Sequence, residues 1–346
     1  MGLIFFYVYP SAFQNPGGGE MLLLKTREHL QKLNCQISLF NMWEDHLTKN
    51  DILHVFGSVK EAYGLMQTAK SIGTKIVHSP IIWYTWRNAF GIFYRPKERM
   101  LCILRQCGKT FLPIIPSMRK KMMEAADIVL ASTRMEADQI KRYFLIPEKK
   151  IRVVTYGTDE YFAHANKEVF IKKYALQNFI LTVGRIEPRK NHLNLIRAMK
   201  GIDRKLVIIG EPVSHYQDYY QKCREEADSN VIFLGALPQN SNELRSAYAA
   251  CDVFVLPSWC ESPGLSALEA GLAGAKIVLT SGGTTKEYFK DMVEYLEPSS
   301  VTDIKNKIFY ALEQKKSDLL KEYIQKRFLW QYTAQQTMEV YQSLTN

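Results

Sequence analysis

Eleven short apolar runs, each ending in a turn residue and followed by a stretch with helical periodicity, leave this chain few ways to fold. Six lie in the first half: LIFFYVY, QISLF, DILHVF, TKIVH, ADIVLAS and KIRVVTYG. Five follow in the second: NFILTVG, KLVIIG, NVIFLG, CDVFVLPS and AKIVLTS. Continuous runs rich in β-branched residues suit strands covered on both faces, as parallel strands are, and the helical stretches supply the crossovers between them. The reading is α/β, with two parallel domains in series spanning 1–161 and 162–328. The break falls in YGTDEYFAHANKEVFIKKYALQNF, where a polar helical segment separates the last run of one set from the first of the next. The final segment, 329–346, has apolar residues at helical spacing and no strand after it, so it is free to cross back to the first domain. A chain of 346 residues with 47% apolar content and no low-complexity tract can build two such cores.

No apolar run reaches the roughly 18 to 20 residues that span a bilayer. The opening MGLIFFYVYP lacks the charged prelude and cleavage site of a secretion signal, so a cytoplasmic protein is expected. Cys35, Cys102, Cys107, Cys223, Cys251 and Cys260 form no Cys-x-x-Cys pair and no His-spaced ligand set, which favours reduced thiols over disulfides or zinc. The formal charge of +10 is unevenly placed: from Arg87 to Lys121 nine Lys or Arg face one Glu, interleaved with aromatic and aliphatic residues just after Trp83 and Trp86. Such a tract fits an anionic membrane surface or, equally, a solvated basic face. No zinc-finger or RNA-recognition signature accompanies it, and nucleic acid is not expected as a partner.

Three stretches carry chemistry. In PSAFQNPGGGEMLLL, Gly17, Gly18 and Gly19 sit between the first strand and a helix, where the backbone can approach a ligand closely and helix N–H groups can meet an anion. By itself this is as much a flexible turn as a site, and it matches neither the dinucleotide fingerprint nor a Walker loop. LTVGRIEPRKNHLNLI says more. Arg185 and Lys190 flank a Pro-containing loop at the carboxyl end of a strand, where open α/β sheets bind ligands, and two cations there suit a diphosphate. In SWCESPGLSALEAGLAGAKIVL, Ser262 is expected as the N-cap, Pro263 as the first helical residue, and Gly274 as the stop after Ala273. The N–H groups of Gly264, Leu265 and Ser266 would then face phosphate, with Glu261 before the cap and Glu269 about two turns along bordering one elongated ligand. Carboxylates accept hydrogen bonds from sugar hydroxyls, and an unpaired charge at Glu269, among Ala, Gly and Leu, would be costly.

Taken together, PGGGE, EAADIVLASTRMEADQI, VTYGTDEYF, GRIEPRKN and ESPGLSALE resemble the retaining, nucleotide-sugar-dependent glycosyltransferases of the GT-B fold, the large group-one family numbered four. The resemblance runs along the whole chain, including FLWQYTAQQTMEVY, which looks like that family's crossover helix. It implies two Rossmann-like domains facing across a cleft. It also implies that Arg185 and Lys190 grip the donor diphosphate, Glu261 contacts the transferred sugar and Glu269 binds the ribose hydroxyls. Leu237 meets the base through its backbone, Gly18 and Gly19 approach phosphate and acceptor, and a histidine after TKIVH contacts the donor sugar. The register leaves that last position open between His78 and Pro80, and a packing role for His78 open as well. Asn191 stands where many members have Gly, and Pro263 where Phe is common.

The expected reaction moves a hexose, first of all from GDP-mannose, to a glycan or lipid-linked acceptor held near Trp83, Tyr84 and Trp86 in polysaccharide or lipopolysaccharide assembly. No Asp-x-Asp occurs in the chain, so no metal or other cofactor is expected, and the departing diphosphate would be met by Arg185, Lys190 and a helix tip. Glu261 serves either as a transient nucleophile or, preferably, as an orienting charge. A sugar-nucleotide epimerase of the same fold and a non-catalytic nucleotide-sugar binding protein are the rival readings.

Overall fold

The computed structural model describes residues 2–9, 12–14, 17–82, 95–111 and 117–345. Trp83, Tyr84, Trp86 and parts of the basic tract, 87–94 and 112–116, lie outside the described residues. The described residues fall into two compact units, one drawn from Met1–Tyr84, Arg105–Gly157 and Trp330–Asn346, the other from Thr85–Leu104 and Thr158–Leu329. Each is built on a six-stranded parallel sheet with helices, the architecture expected from the alternating runs.

In the first unit β1 (Ile4–Tyr7), β2 (Ile37–Leu39), β3 (Ile52–Phe56), β4 (Lys75–Ser79), β5 (Ile128–Ala131) and β6 (Ile151–Val153) lie in the order β2-β1-β3-β4-β5-β6. β1 and β3 are buried along their whole length, as central parallel strands covered by helices must be. Their core joins Phe5, Leu53, Val55, Met66, Met122, Val129 and Ile140. The last helix, Trp330–Thr345, belongs to this unit. Its buried face, Trp330, Thr333, Ala334, Thr337, Val340 and Tyr341, repeats at helical spacing. Tyr341 Oη is 2.6 Å from His54 Nδ1 on β3, and Gln336 Oε1 accepts the Thr155 N–H at 2.8 Å, so polar contacts fix its register on the sheet.

The second unit holds β7 (Ile180–Val183), β8 (Leu206–Ile209), β9 (Val231–Gly235), β10 (Val253–Leu256), β11 (Lys276–Thr280) and β12 (Glu294–Leu296), in the order β12-β11-β10-β7-β8-β9. All eleven apolar runs have become strands. β12 was not anticipated: its sequence is only EYL, half-exposed on two of three residues, and it pairs at the sheet edge through its backbone. The order reverses between β7 and β10, so the loops leaving those two strands open the crevice where sheets of this kind bind ligands. In the first unit the corresponding reversal lies between β1 and β3.

Candidate functional site

The loop leaving β7 is held at both ends before any charged side chain is placed. Ile186, fully buried, receives a hydrogen bond from the Val213 N–H at 3.2 Å and donates its own N–H to the Glu211 carbonyl at 2.8 Å. Pro188 then starts a short 3-10 turn, Pro188–Lys190, that ends on Asn191 at φ 60°. Asn tolerates this left-handed conformation, and its buried amide donates to the carbonyls of Pro257 at 3.1 Å and Pro298 at 2.8 Å. Asn191 therefore holds a backbone shape that glycine also fits and adds two ties. From this loop Arg185, Glu187, Arg189 and Lys190 project.

The loop leaving β10 brings the partner carboxylate. Glu261 forms an isolated parallel bridge with Gly283, and its carbonyl accepts the Thr284 N–H at 2.9 Å. Gly283 sits at φ 99°, and a Cβ there would lie 1.9 Å from the Glu261 carbonyl oxygen, so only glycine permits this approach. Lys190 Nζ reaches Glu261 Oε1 at 2.7 Å, and Arg189 Nη1 lies 3.6 Å from the same oxygen. Arg189 also donates to the Cys260 carbonyl at 3.2 Å, while Glu187 faces Arg189 at 3.0 Å and Arg185 at 3.6 Å. Burial works to raise the pKa of Glu261, but the charges of Lys190 and Arg189 outweigh it and hold the carboxyl below its usual range. Burial in turn pushes the Lys190 ammonium down from its usual range against the pull of Glu261, and a nearly buried pair of this kind adds little stability over apolar packing, while perturbed groups in a crevice mark a candidate site.

The helix after Glu261 starts later than its sequence suggests. It runs Leu265–Leu272, with Gly264 at φ 93° as N-cap, so Ser262 does not cap it and Pro263 precedes it. The physical reason is Gly264: a residue with that φ cannot be helical, and the first helical position must follow it. Leu265 and Ser266 become the first two helical residues, whose N–H groups have no intrahelical partner, while Ala267 N–H bonds back to the Gly264 carbonyl at 2.9 Å. Gly274, at φ 85° after the Ala273 cap, closes the helix as anticipated.

Glu269 is buried on this helix and is not unpaired. Tyr248 Oη donates to one of its oxygens at 2.7 Å and the Gln239 amide to the other. Gln239 shares with Leu237 the loop that leaves β9, so Leu237 and Glu269 belong to one corner of the second unit. Arg185, Lys190, Glu261, Pro263, Gly264, Leu265, Ser266, Leu237 and Glu269 all lie at the carboxyl ends of β7, β9 and β10 or on the helix that follows β10. Sequence reasoning passed over Arg189, Tyr248 and Gln239. Arg189 was visible inside EPRKN, whereas Tyr248 and Gln239 lie 21 and 30 residues from the carboxylate they hold and leave no local signal.

The first-unit candidates form a separate group. Gly18 and Gly19 open the helix Gly18–Lys32, with Gly17 as N-cap, and the Glu20 carboxylate accepts the Gly17 N–H at 2.7 Å and the Tyr9 hydroxyl at 2.8 Å. His78 lies within β4 with no exposed surface. Its Nε2–H donates to the Gly57 carbonyl at 2.9 Å, and among the described residues its Nδ1 has no hydrogen-bond partner. Burial holds its pKa down to about 4, so the ring is neutral at physiological pH.

Comparisons with known proteins bear on the family and the fold. Residues 165–327 match the model of the family Glycosyl transferases group 1. An uncharacterized glycosyltransferase of Methanocaldococcus jannaschii is 28% identical over 244 residues, covering 63% of this chain and 60% of the relative. A D-inositol 3-phosphate glycosyltransferase of Kribbella flavida is 29% identical over 253 residues, 65% of this chain and 58% of its own length. O-antigen chain mannosyltransferase B of Escherichia coli is 25% identical over 270 residues, 72% and 66% of the two chains. This chain therefore spans about 60% of the length of the first two of these relatives. Sucrose-phosphate synthase from Thermosynechococcus elongatus superposes with a TM-score of 0.76 at 16% identity, over 99% of this chain and 98% of that one. Anabaena HepE, solved with UDP and glucose, gives 0.70 at 15% identity, over 99% of both chains. At such identities the structural likeness speaks for the fold, which is GT-B, and the sequence matches support a group 1 glycosyltransferase.

Proposed function

We propose that this chain is a retaining glycosyltransferase that moves a hexose from a nucleotide sugar to a glycan or lipid-linked acceptor, GDP-mannose being the first donor to test. The observation that carries the reading is the Lys190–Glu261 pair, joined by Arg189 and neighboured by Arg185, at the switch point of the second sheet. Breaking a glycosyl phosphate bond leaves negative charge on the departing diphosphate, and fixed cations already facing a crevice stabilise that charge without reorganising. Arg185 suits the diphosphate because its fork grips two oxygens and its present partner, Glu187, lies 3.6 Å away in a loosely held pair. Lys190 neutralises a second phosphate oxygen while its stem stays fixed against Gly184. The N–H groups of Leu265 and Ser266 add the positive end of a helix.

Glu261, kept ionised by two cations, is suited to orienting the sugar and balancing positive charge at its anomeric carbon rather than to giving up a proton. Glu269, with Tyr248 and Gln239 fixing its two oxygens, is placed to accept hydroxyls of the nucleotide ribose, and the Leu237 backbone to meet the base. His78 is the candidate for a first-unit contact to the donor sugar, and Gly18 and Gly19 for a close backbone approach. Because Arg185 and Lys190 supply the positive charge, the reaction needs no metal. Within the basic tract, the helix Pro96–Phe111 exposes Met100, Leu101 and Leu104, which supports peripheral attachment to an anionic membrane face.

Incubation with a panel of GDP-, UDP- and ADP-linked hexoses, with and without oligosaccharide acceptors, tests the reading. Release of nucleoside diphosphate that depends on acceptor and persists in EDTA is expected. Conversion of the donor to an epimer, or binding without turnover, would replace it with one of the rival readings.

A further inference from the structure

The reaction leaves unused a feature at the carboxyl end of β2. Phe40 packs edge-on against Phe5, with ring centroids 5.5 Å apart, and lies 6.4 Å from Tyr7, anchoring the chain as it leaves the strand. Asn41 then ties a turn. Its N–H donates to the Asp45 carboxylate at 2.7 Å, its side-chain amide donates to Glu44 at 2.9 Å, and its side-chain oxygen accepts the Trp43 N–H at 3.1 Å. Its carbonyl accepts the N–H groups of Glu44 and Asp45 at 3.2 and 2.9 Å. On this turn Trp43 stands 87% exposed and Met42 51% exposed. An indole left in water forgoes the stabilisation that burial would give it, and a turn tied at this many points does not fold it away.

We propose that Trp43 is a stacking platform for a pyranose ring of the acceptor saccharide, an inference that rests on the glycosyltransferase reading. One face of a pyranose presents C–H groups, which the electron-rich face of an indole attracts, while the ring's hydroxyls point outward and need acceptors. Glu44 and Asp45 follow Trp43 directly, and each, with one carboxylate oxygen on Asn41, has its other oxygen to offer them. The same carboxylates repel phosphate, so an anionic lipid surface or a nucleic acid fits this turn poorly. A rigid ring on a fixed turn loses little freedom on binding. The turn also leaves β2 at the same carboxyl edge of the parallel sheet as the Gly17–Gly19 loop leaves β1, the edge at which such sheets bind ligands.

Saturation-transfer NMR on the full chain tests this with methyl α-D-mannopyranoside and methyl α-D-glucopyranoside as probes, using the wild type, Trp43→Ala and Trp43→Phe. Calorimetric affinities for GDP and UDP, measured on the same three proteins, report the donor side separately. The expected result is saturation of the ring protons on one face in the wild type, roughly fivefold weaker glycoside binding in Trp43→Ala, largely retained binding in Trp43→Phe, and nucleotide affinity unchanged throughout. No saturation in the wild type, or equal saturation in Trp43→Ala, overturns the platform whatever the nucleotides do. A Trp43→Ala protein that instead loses binding to phosphatidylglycerol vesicles, or changes its oligomeric mass, assigns the indole to a lipid or a second copy and overturns it too. Failure of the wild type to bind either nucleotide overturns the donor reading, and the acceptor role with it. Trp43 is exposed, so its replacement leaves the fold in place, and circular dichroism checks it.

Discussion

The two units share a six-stranded parallel sheet yet use their buried carboxylates in opposite ways. In the first, Glu136 accepts the Ile82 N–H at 2.9 Å and the Ser132 N–H and hydroxyl at 2.7 Å, and Glu20 takes the Gly17 N–H along with the Tyr9 hydroxyl, so each carboxylate is tied to backbone by at least one oxygen. In the second, Glu261 faces Lys190 and Arg189, and Glu269 faces Tyr248 and Gln239. A carboxylate bonded to backbone N–H groups cannot exchange its partners without undoing the fold. One bonded to side chains can share them with a ligand. The partner type therefore bears on where reactive polar groups can sit as much as burial does, and the proposed donor chemistry rests on the side-chain-bonded carboxylates of the second unit.

The largest effect separating the units should come from Lys190→Ala. Per folded molecule, turnover should fall by about a hundredfold or more, the loss of one contact to a developing anion, an effect larger than the fall in thermal midpoint that follows from leaving buried Glu261 with Arg189 alone. Steady-state assays beside calorimetry would read both. Glu136→Ala should do the reverse. It leaves buried N–H groups without acceptors and should cost about 1 to 3 kcal/mol of stability in urea unfolding, while turnover per folded molecule stays within twofold. Turnover lost without stability would mean that the first unit's carboxylates are not merely structural.

Acid should act on the buried imidazoles next. Burial lowers His54 to about 3 and His78 to about 4, against 6.5 for the free side chain. The unfolded chain therefore takes up these protons first. The stability these rings contribute is complete above about pH 6.5 and is lost as pH falls toward the folded values, on the order of 2 kcal/mol per ring by pH 5. Urea midpoints of the wild type and His54→Gln from pH 7.5 to 5 would show it, with a shallower pH slope expected in the variant. An unchanged slope would mean that His54 is protonated in the native state. The smallest effect expected is that of Arg189→Lys, which keeps a charge near Glu261 but loses the fork that also holds Glu187 and the Cys260 carbonyl. A roughly tenfold fall in turnover, with the acid limb of its pH profile moved upward because Glu261 is held ionised less firmly, would confirm that Arg189 positions that carboxylate.

Much of this was readable before any coordinates. Buried parallel strands must be apolar along their length, which is why eleven runs announced eleven strands, and the charged residues at their ends announced the crevice. What stayed hidden depends on contacts distant in sequence. Ser262 and Pro263 satisfy the local rules for a helix start, but the backbone of Gly283 fixes the path of Glu261 and the helix waits for Gly264. β12 has too few residues to show a pattern, and nothing in NMWEDH reveals that its tryptophan stands in solvent.

The central claim is that the cations on the loop leaving β7 hold a diphosphate, and affinity for the diphosphate alone tests it most directly. Titration calorimetry should compare GDP and UDP with guanosine and uridine, on the wild type and on the Arg185→Ala/Lys190→Ala double variant. The account predicts that the double variant binds its preferred nucleoside diphosphate about a hundredfold more weakly while its weak affinity for the uncharged nucleoside is unchanged. Equal affinity of both proteins for the diphosphate would contradict it.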